Sequence, residues 1–428
     1  MRLFEHTFVL MLLGWGLDGG LCAADGPAQY TGPGSCSSSS CHGGVQPRNE
    51  TSVLQNEYST WAVQDKHTHA LAVLGNDVAQ RMGRILKLQP EKEVRCLACH
   101  SLDIEPSLKA ATFDRNDGVS CENCHGASSN WLGPHTTRGW SYEKSVGLGL
   151  YDTRDLIKRS EKCLSCHLGD ASKYVDHEMI AAGHPDLYFE QASFEAVMPR
   201  HWKDGKDKDP AIEVKTMVVG QAVQLRENMR RIARDATRLW PEYSELDCFA
   251  CHHSLTAAKD SWRQERGYVD RRAGNPPWNP SRYAIFQLVL SELDRSSAQQ
   301  LDAEVKKVVA LVGDVTADRN QIARAAAGTA DVADGLARRM VGANIDQATA
   351  RRLLKSIAAD SDRIASQGER AAEQAAMAID TLYIATTPAE NSQARAAING
   401  LFQLLQNPSA YSPQPFALQM KKVEALLP

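Results

Sequence analysis

Cys121-Glu-Asn-Cys124-His125 is the stretch of this sequence that decides the fold, because two closely spaced cysteines are followed at once by a histidine. The same order, Cys-x-x-Cys-His, occurs in three other stretches: Cys96-Leu-Ala-Cys99-His100, Cys163-Leu-Ser-Cys166-His167 and Cys248-Phe-Ala-Cys251-His252. A stretched variant, Cys36-Ser-Ser-Ser-Ser-Cys41-His42, has two more residues between its cysteines. These segments, numbered box 1 to box 5 in chain order, contain ten of the eleven cysteines.

The boxes have the residue types and the spacing that attach a haem covalently to a polypeptide. Two thiols add to the two vinyl groups of one porphyrin, and the adjacent histidine then binds the iron from one face. In box 1 the longer spacer must loop out more backbone, which the small polar residues Ser37 to Ser40 tolerate. The sequence therefore predicts five covalently attached haem c groups, one for each box. Their proximal iron ligands are His42, His100, His125, His167 and His252.

Three other interpretations of the paired cysteines are weaker. Disulfides would suit an exported protein with an even number of cysteines, but they do not explain the histidines. Histidine is 13 of the 428 residues, so its presence after all five pairs by chance has a probability on the order of 10⁻⁸. Structural zinc sites do not need a histidine at this offset, and a thioredoxin-like dithiol needs one reactive pair in a βαβ setting. Haem attachment explains every box.

Seven histidines remain outside the boxes once His6, which lies in an N-terminal export signal, is set aside. A second histidine on the other face of each iron would make that iron six-coordinate. The histidines that we predict in this role are His67, His135, His177, His184 and His201. His69 and His253 are predicted to be spare, because His69 points elsewhere than His67 on a helix and His253 adjoins box 5 too closely to reach its iron.

Sequence context supports several of these ligands. Trp131 and Pro134 precede His135, and they would stiffen the approach to a haem and shield it from water. His177 and His184 are seven residues apart, a spacing that lets them serve two different haems. Methionine could replace an axial histidine and raise the potential, but nothing in the sequence requires it.

Irons with a histidine on both faces have no open position for a substrate, which favours an electron carrier over an enzyme. We therefore expect a protein that transfers electrons between redox partner proteins and has no catalytic residue. One alternative is an oxidoreductase in which one haem keeps an open face for a small nitrogen or sulfur compound. Another alternative is a structural or assembly subunit of a larger redox complex.

Residues 1–24 have the form of a Sec-type export signal, in which an apolar run from Phe8 to Leu17 precedes small residues at the cleavage position. A lipoprotein acylated on Cys22 is an alternative that the bulky preceding residue disfavours. We expect a periplasmic or otherwise exported protein whose mature chain begins near Asp25 and has no transmembrane segment. The formal charge of −4 gives no general basic field, so neither nucleic acid nor an anionic membrane is an expected partner.

The mature chain divides into a part that contains all the boxes, residues 25–260, and a helical part, residues 261–428. Apolar periodicity predicts helices over 58–74, 79–88 and 211–239 in the first part. In the second part it predicts helices over 301–312, 322–340, 348–384 and 394–405. The predicted fold class is mainly α with extensive coil: a multihaem cytochrome c domain with a haem-filled core, followed by an α-helical bundle.

The helical bundle has two interpretations. It either buttresses the haem part, which is the simpler reading of alanine-rich packing faces, or docks a redox partner or a second copy of the chain. In the second case the protein would form a homo-oligomer or a redox complex through these helices. Without haem, the first part has too little apolar contact to offset chain entropy, so we expect it to be largely unfolded.

On these residues the chain resembles the multihaem cytochromes c of the cytochrome c-554 type, relatives of the hydroxylamine oxidoreductase and multihaem reductase group. The resemblance covers about residues 30–260. It rests on the stretches Ser35 to Gly44, Trp61 with Asp65-Lys66-His67, Gly118 to Gly126, and Ile180 to Pro185 leading to His201-Trp202. It implies that His67 rather than His69 is a distal ligand, that His135, His177 and His184 coordinate neighbouring haems, and that electrons pass along closely stacked haems.

The chain departs from that family's namesake, a four-haem carrier, by its fifth box and its long C-terminal extension. The pairing of ligands with haems therefore does not follow from the resemblance. The chain also lacks the Cys-x-x-Cys-Lys box of related pentahaem nitrite reductases, and five boxes are too few for the eight-haem hydroxylamine-oxidising enzymes. Neither chemistry is expected.

Overall fold

The computed structural model describes residues 26–427, with gaps at 52, 171, 206–207, 249–250, 253–274, 276 and 388–390. The predicted export signal, His253 and the predicted boundary after residue 260 lie outside the described residues. Within the described part, the chain is helix and coil and contains no β-strand beyond two isolated bridges. The predicted mainly α fold class is confirmed.

Short helices and long coil segments form the N-terminal part, where the boxes lie. The helices described between residues 57 and 197 are α1 (Glu57–Gln64), α2 (Asp77–Leu86), α3 (Val94–His100), α4 (Cys121–His125), α5 (Tyr142–Gly147), α6 (Leu156–Leu164), α7 (His177–Ala182) and α8 (Gln191–Val197). Each of them is too short to be stable alone in water, so its conformation depends on the contacts around it.

The prediction of one helix over residues 58–74 is wrong beyond Gln64. Asp65 has an extended backbone, and its carboxylate accepts the N–H of His67 at 3.0 Å, so a new 3₁₀ turn (Lys66–His69) begins there. Aspartate side chains compete with helix in this way because they offer the backbone a local hydrogen bond. The turn takes His67 away from the axis of α1.

Mostly longer helices follow residue 211, as predicted. They are α9 (Ile212–Thr237), α10 (Ala284–Leu293), α11 (Arg295–Val312), α12 (Arg319–Val341), α13 (Gln347–Ala359), α14 (Ser361–Ser366), α15 (Glu369–Thr386), α16 (Ser392–Leu404) and α17 (Pro413–Leu426). The predicted amphipathic helix at 301–312 is confirmed in α11, where Leu301, Val305, Val308 and Val312 are buried. No helix in the described residues combines the length and the apolar character needed to cross a membrane.

The prediction of one helix over residues 348–384 is wrong, because the chain breaks twice there. Asp360 leaves helical geometry between α13 and α14. Gly368, between α14 and α15, has a φ of 96°, a left-handed conformation that glycine adopts without strain. Helices α10 and α17 were not predicted: α10 is apolar on most sides and shows no clear period, and Pro413 opens α17 from coil.

One continuous apolar core extends through the C-terminal helices and reaches back to α6 and α8. Helix α9 lies in this core, where it packs along α12 and also contacts α6 and α8. The sequence analysis placed residues 211–239 in the haem part, whereas the structure packs them among the bundle helices. The predicted domain boundary after residue 260 remains a prediction.

The N-terminal part has almost no apolar core of its own. Among the described residues from 26 to 155, only three aliphatic or aromatic side chains, prolines apart, are buried: Leu74, Leu97 and Trp131. A segment of this length normally buries a much larger apolar surface. Its fold therefore depends on something besides its own side chains.

Candidate haem-binding sites

Boxes 2 and 3 are helical. Box 2 forms the C-terminal end of α3, and box 3 forms the whole of α4. Residues three and four positions apart share one face of a helix, so both cysteines and the histidine of such a box project from the same side. Box 4 runs from the end of α6 into a single π-helical turn, Ser165–Gly169. The local backbone thus directs the box residues toward one region of space.

Box 1 closes its longer spacer by a backbone loop. The N–H of His42 donates to the carbonyl oxygen of Cys36 at 3.2 Å, and the N–H of Gly43 donates to that of Ser38 at 2.9 Å. These two bonds bring the histidine back beside the first cysteine although four serines separate the thiols. The stretched box therefore has a compact backbone, as its interpretation as a haem site requires.

The structure brings box histidines together with predicted distal histidines. Four pairs have ring centroids between 6.1 and 6.4 Å apart and are named after their boxes. They are site 1 (His42 and His135, 6.1 Å), site 2 (His100 and His184, 6.4 Å), site 4 (His167 and His67, 6.1 Å) and site 5 (His252 and His177, 6.1 Å). The partners come from different elements, and at all four sites they come from distant stretches of sequence.

Site 3 consists of the remaining box histidine, His125, and the remaining predicted distal histidine, His201. Burial lowers the pKa of His125 to about 4, and the next cause is the neighbouring charge of His201. His201 also lies near Asp65, beside site 4. Burial raises the pKa of that carboxyl, but the hydrogen bonds from His67 and then the charge of His201 lower it, so the net shift is downward. Each of the five box histidines therefore has one of the five predicted distal histidines as a neighbour.

The separation of the paired rings fits an iron bound between them. A histidine nitrogen binds a metal at about 2 Å, and the ring centroid lies about 1 Å further away, so two imidazoles on opposite faces have centroids about 6 Å apart. A bare ion such as zinc instead needs three or four protein ligands. No cluster of three or more His, Cys, Asp or Glu side chains that could hold a metal ion occurs among the described residues. The pairs fit a metal whose other ligands come from a porphyrin.

The angle between the two ring planes differs from site to site. The rings of site 1 are nearly parallel, with an interplanar angle of 7°, whereas those of site 2 and site 4 are nearly perpendicular, at 86° and 89°. The rings of site 5 are tilted by 32°. The sites are therefore distinguishable in principle by any measurement that depends on the relative orientation of axial ligands.

The Nδ1 atoms of six rings have hydrogen-bond partners that leave Nε2 available to a metal. Four of these partners are backbone carbonyls: Ala70 for His100 (2.7 Å), Leu132 for His135 (2.5 Å), Pro185 for His184 (2.8 Å) and Pro199 for His201 (3.1 Å). Such partners fix the tautomer and the orientation of a metal-binding imidazole. Only a donating Nδ1 suits a carbonyl acceptor.

Carboxylates take the place of carbonyls at two rings. Glu57 Oε2 lies 2.9 Å from His42 Nδ1 in site 1, and Asp65 Oδ1 lies 2.9 Å from His67 Nδ1 in site 4. Hydrogen bonding to these carboxylates raises the pKa values of His42 and His67. The sequence analysis did not identify either acid. Asp65 could have been found from its place two residues before His67, but Glu57 is 15 residues from His42 and gives no local signal.

All ten box cysteines are free thiols in the structure. The thiols of different boxes nevertheless meet: contact with Cys36 of box 1, followed by burial, raises the pKa of Cys121 in box 3. Contact with Cys166 of box 4, followed by burial, raises the pKa of Cys99 in box 2. Boxes 1 and 3 are therefore neighbours, and so are boxes 2 and 4.

Two further contacts connect these groups. Burial raises the pKa of Cys124 in box 3 to about 12, with the nearby Cys163 of box 4 as the next cause, so boxes 3 and 4 adjoin. His177 of site 5 and His184 of site 2 are joined by α7 and its end, where the N–H of His184 donates to the carbonyl of Met179 at 3.0 Å. The sites thus follow one another in space in the order 1, 3, 4, 2, 5.

Aromatic side chains surround several rings. Trp131 is buried against His135, with ring centroids 5.6 Å apart, so it shields site 1 as the sequence analysis expected. Phe189 and Phe194 lie 4.9 and 5.4 Å from the ring of His167 in site 4. His69, which was predicted to be spare, is exposed. His253, the other predicted spare, is outside the described residues.

Comparisons with known proteins agree with this chemistry. Residues 35–126, which contain boxes 1 to 3, match the model of the family described as cytochrome c554 and c-prime. Cytochrome c-554 of Nitrosomonas europaea is 30% identical over 165 residues, which cover 34% of this chain and 60% of that protein. The match thus spans less than two thirds of the relative. No solved structure significantly matches the chain.

Proposed function

We propose that the chain is a cytochrome of the c-554 type, the family that residues 35–126 match, and that it carries electrons between redox partners through five covalently bound haems. Membership of a cytochrome c family implies covalently attached haem c. The number of haems, their bis-histidine ligation and the role of the whole protein are our proposal.

The observation that carries this proposal is the pairing of four box histidines with four other histidines at ring-centroid distances of 6.1–6.4 Å, while the fifth, His125, has His201 in its neighbourhood. The thiols that would hold the haems are Cys36 and Cys41, Cys96 and Cys99, Cys121 and Cys124, Cys163 and Cys166, and Cys248 and Cys251. When bound, haem supplies one-electron exchange at its iron. Two imidazoles at each site leave no position for a substrate, which supports the carrier over the open-faced oxidoreductase.

The order of the sites supports transfer along a single file. Each site adjoins the next through ligand or thiol contacts, so the chain holds sites 1, 3, 4, 2 and 5 in series. The two end sites are accessible from outside: Ser38 to Ser40 of box 1 are exposed, and so are Cys248 and Cys251 of box 5. We propose that donor and acceptor proteins meet the chain at these two ends.

We propose that the C-terminal helices act as a buttress. Gln374 Nε2 of α15 donates to the carbonyl oxygen of Phe189 at 3.0 Å, and the ring of Phe189 contacts His167. Arg370 of the same helix pairs with Asp186 at 3.0 Å, two residues beyond His184. The bundle thus positions residues next to sites 2 and 4. We also propose export to the periplasm or cell exterior, from the signal-like residues 1–24.

Mass spectrometry of the purified mature protein tests the count of haems. We expect a gain equal to five porphyrins and a sharp α-band in the reduced visible spectrum, with wholly low-spin irons and no CO binding by the reduced protein. A mass gain of four haems, with the cysteines of box 5 unmodified, would contradict the proposal of a fifth haem site. A high-spin, CO-binding iron in the native protein would favour the oxidoreductase instead.

The substitution His177→Ala is expected to open one iron, because it removes the distal ring of site 5 and leaves His252 in place. The reduced variant should bind close to one CO per protein, while the native protein binds none. His69→Ala is the matched control, since it removes an exposed histidine outside the pairs. Equal CO uptake by the two variants would contradict the assignment of His177.

A further inference from the structure

The five sites differ in the groups that hold their histidine ligands. Both rings of site 2 donate from Nδ1 to backbone carbonyls, and so does His201 of site 3. In site 1 and site 4, by contrast, one ring donates to a carboxylate. Among the described residues, these are the only two ion pairs between a ring of a site and an acid.

The acceptor of the Nδ1 proton changes the iron that Nε2 binds. A carboxylate draws the proton more strongly than a carbonyl, so the imidazole gains negative character and becomes a stronger donor. A stronger axial donor stabilises the oxidised iron and lowers its reduction potential. Hydrogen bonds of this kind are among the means by which a protein sets the potential of a haem whose axial ligands are the same everywhere.

Both carboxylates are held in place before any haem is considered. Asp65 is 6% exposed, and its Oδ1 accepts the backbone N–H of His67 at 3.0 Å as well as the ring at 2.9 Å. Glu57 accepts the ring of His42 through Oε2 and the N–H of Leu54 through Oε1 at 2.7 Å. Neither acid needs to rearrange to act on its ring, so each is a fixed part of the site.

We propose that Glu57 and Asp65 are positioning residues that lower the reduction potentials of sites 1 and 4 relative to sites 2 and 3. This inference rests on the proposed haem ligation. Along the order 1, 3, 4, 2, the carboxylate-bound sites alternate with site 3, in which His201 donates to a carbonyl, and site 2, in which both rings do. The chain therefore sets a low, high, low, high sequence of potentials by two acidic side chains rather than by different axial ligands.

Redox titration of the holoprotein followed by electron paramagnetic resonance tests the proposal, because the ring planes separate site 1 from sites 2 and 4. Parallel imidazole planes raise one iron orbital of π symmetry above the other and give a rhombic low-spin signal, whereas perpendicular planes act on both orbitals equally and give a highly axial signal. Site 1 is expected to be rhombic. Sites 2 and 4 are expected to be highly axial.

Asp65→Asn is the principal variant. Asn Oδ1 can accept the same two hydrogen bonds, so the turn and the ring orientation are kept and only the charge is removed. We expect the midpoint potential of one highly axial signal to rise while the rhombic signal keeps its midpoint. The matched control is Asp155→Asn: Asp155 Oδ1 caps α6, which leads into box 4, by accepting the N–H of Ile157 at 2.8 Å. This variant removes the same negative charge from a helix cap that has no histidine ring as a partner.

Glu57→Gln tests the second acid independently, and we expect it to raise the midpoint of the rhombic signal. The proposal is overturned if D65N and E57Q leave their signals unmoved, lower them, or move them no further than D155N does. Mass spectrometry checks that each variant keeps its haems. Loss of haem from both variants would make the acids folding residues and would also overturn the proposal.

The two levels of interpretation fail in different ways. If the native protein shows no bound haem or no low-spin signals, the proposed function is wrong. If five low-spin irons are present and the variants do not shift the predicted signals, the electron-carrier proposal stands and only the role of Glu57 and Asp65 is wrong.

Discussion

Chain produced without haem attachment is expected to lose its structure over residues 26–155 and to keep the C-terminal helices. The reason is the distribution of buried apolar side chains, because three are buried in the described residues up to 155 whereas a continuous core runs from Leu156 to Val423. Ordering a residue costs about 1–2 kcal/mol of backbone entropy, and the N-terminal part has no core to offset it. Porphyrins must supply that contact.

The sequence analysis expected the whole haem part, to residue 260, to unfold without haem, but the structure restricts this expectation to a shorter segment. Helices α6, α8 and α9 pack into the core shared with the C-terminal helices, so we expect them to survive haem loss. Far-UV dichroism of haem-free protein should retain most of the helical signal, and limited proteolysis should leave a resistant fragment that begins near α6. Holoprotein treated in parallel is the control. Protection of residues 26–155 in the haem-free chain would contradict this prediction.

Arg226→Leu is expected to destabilise the protein by about 3 kcal/mol. The arginine lies on α9, is 1% exposed, and joins three carboxylates: Glu161 and Asp334 at 2.6 Å and Glu227 at 2.7 Å. It thereby connects α9 to α6 and α12. Removing the cation leaves the acids facing one another, but each is partly exposed and can be hydrated, which places the cost at the lower end for a broken buried ion pair.

Thermal or urea unfolding of the holoprotein measures this effect, and the same helix provides the control. Arg230 is half-exposed and pairs with Glu227 at 2.9 Å, so Arg230→Leu should cost less than about 1 kcal/mol. The loss of stability caused by Arg226→Lys should lie between those of the two leucine variants. Lysine keeps the positive charge but lacks the planar guanidinium that bonds carboxylates of two neighbouring helices at once. The interpretation is wrong if R226L and R230L have the same free energy of unfolding.

The structure brings the histidines that the sequence analysis selected close together, although their binding of iron remains a prediction. The five histidines proposed as distal ligands are the ones that the structure sets beside the boxes, and the spare His69 is exposed. The partner of each box could not be predicted, because pairs such as His67 and His167 are separated by a hundred residues and meet only through tertiary structure. For the same reason the hydrogen bond between Glu57 and His42 could not be predicted from the sequence around either residue.

The helices were misjudged where a single side chain or glycine overrides apolar periodicity. Asp65 caps a new turn within a segment whose pattern continues, and Gly368 turns the chain between two segments that share one apolar period. The packing of α9 among the bundle helices was not predicted, because its apolar residues show that it is buried but not against which part of the chain. Periodicity reports a face and not its partner.

Helix α7 connects the last two sites of the series. One short segment carries His177 at its start and ends at His184, so the separation of these two ligands is set mainly by local backbone. Movements of the tertiary structure would change the distances between other successive sites more than the distance between site 5 and site 2. Site 5 is thus linked to site 2 through ligands only seven residues apart in the chain, His177 and His184.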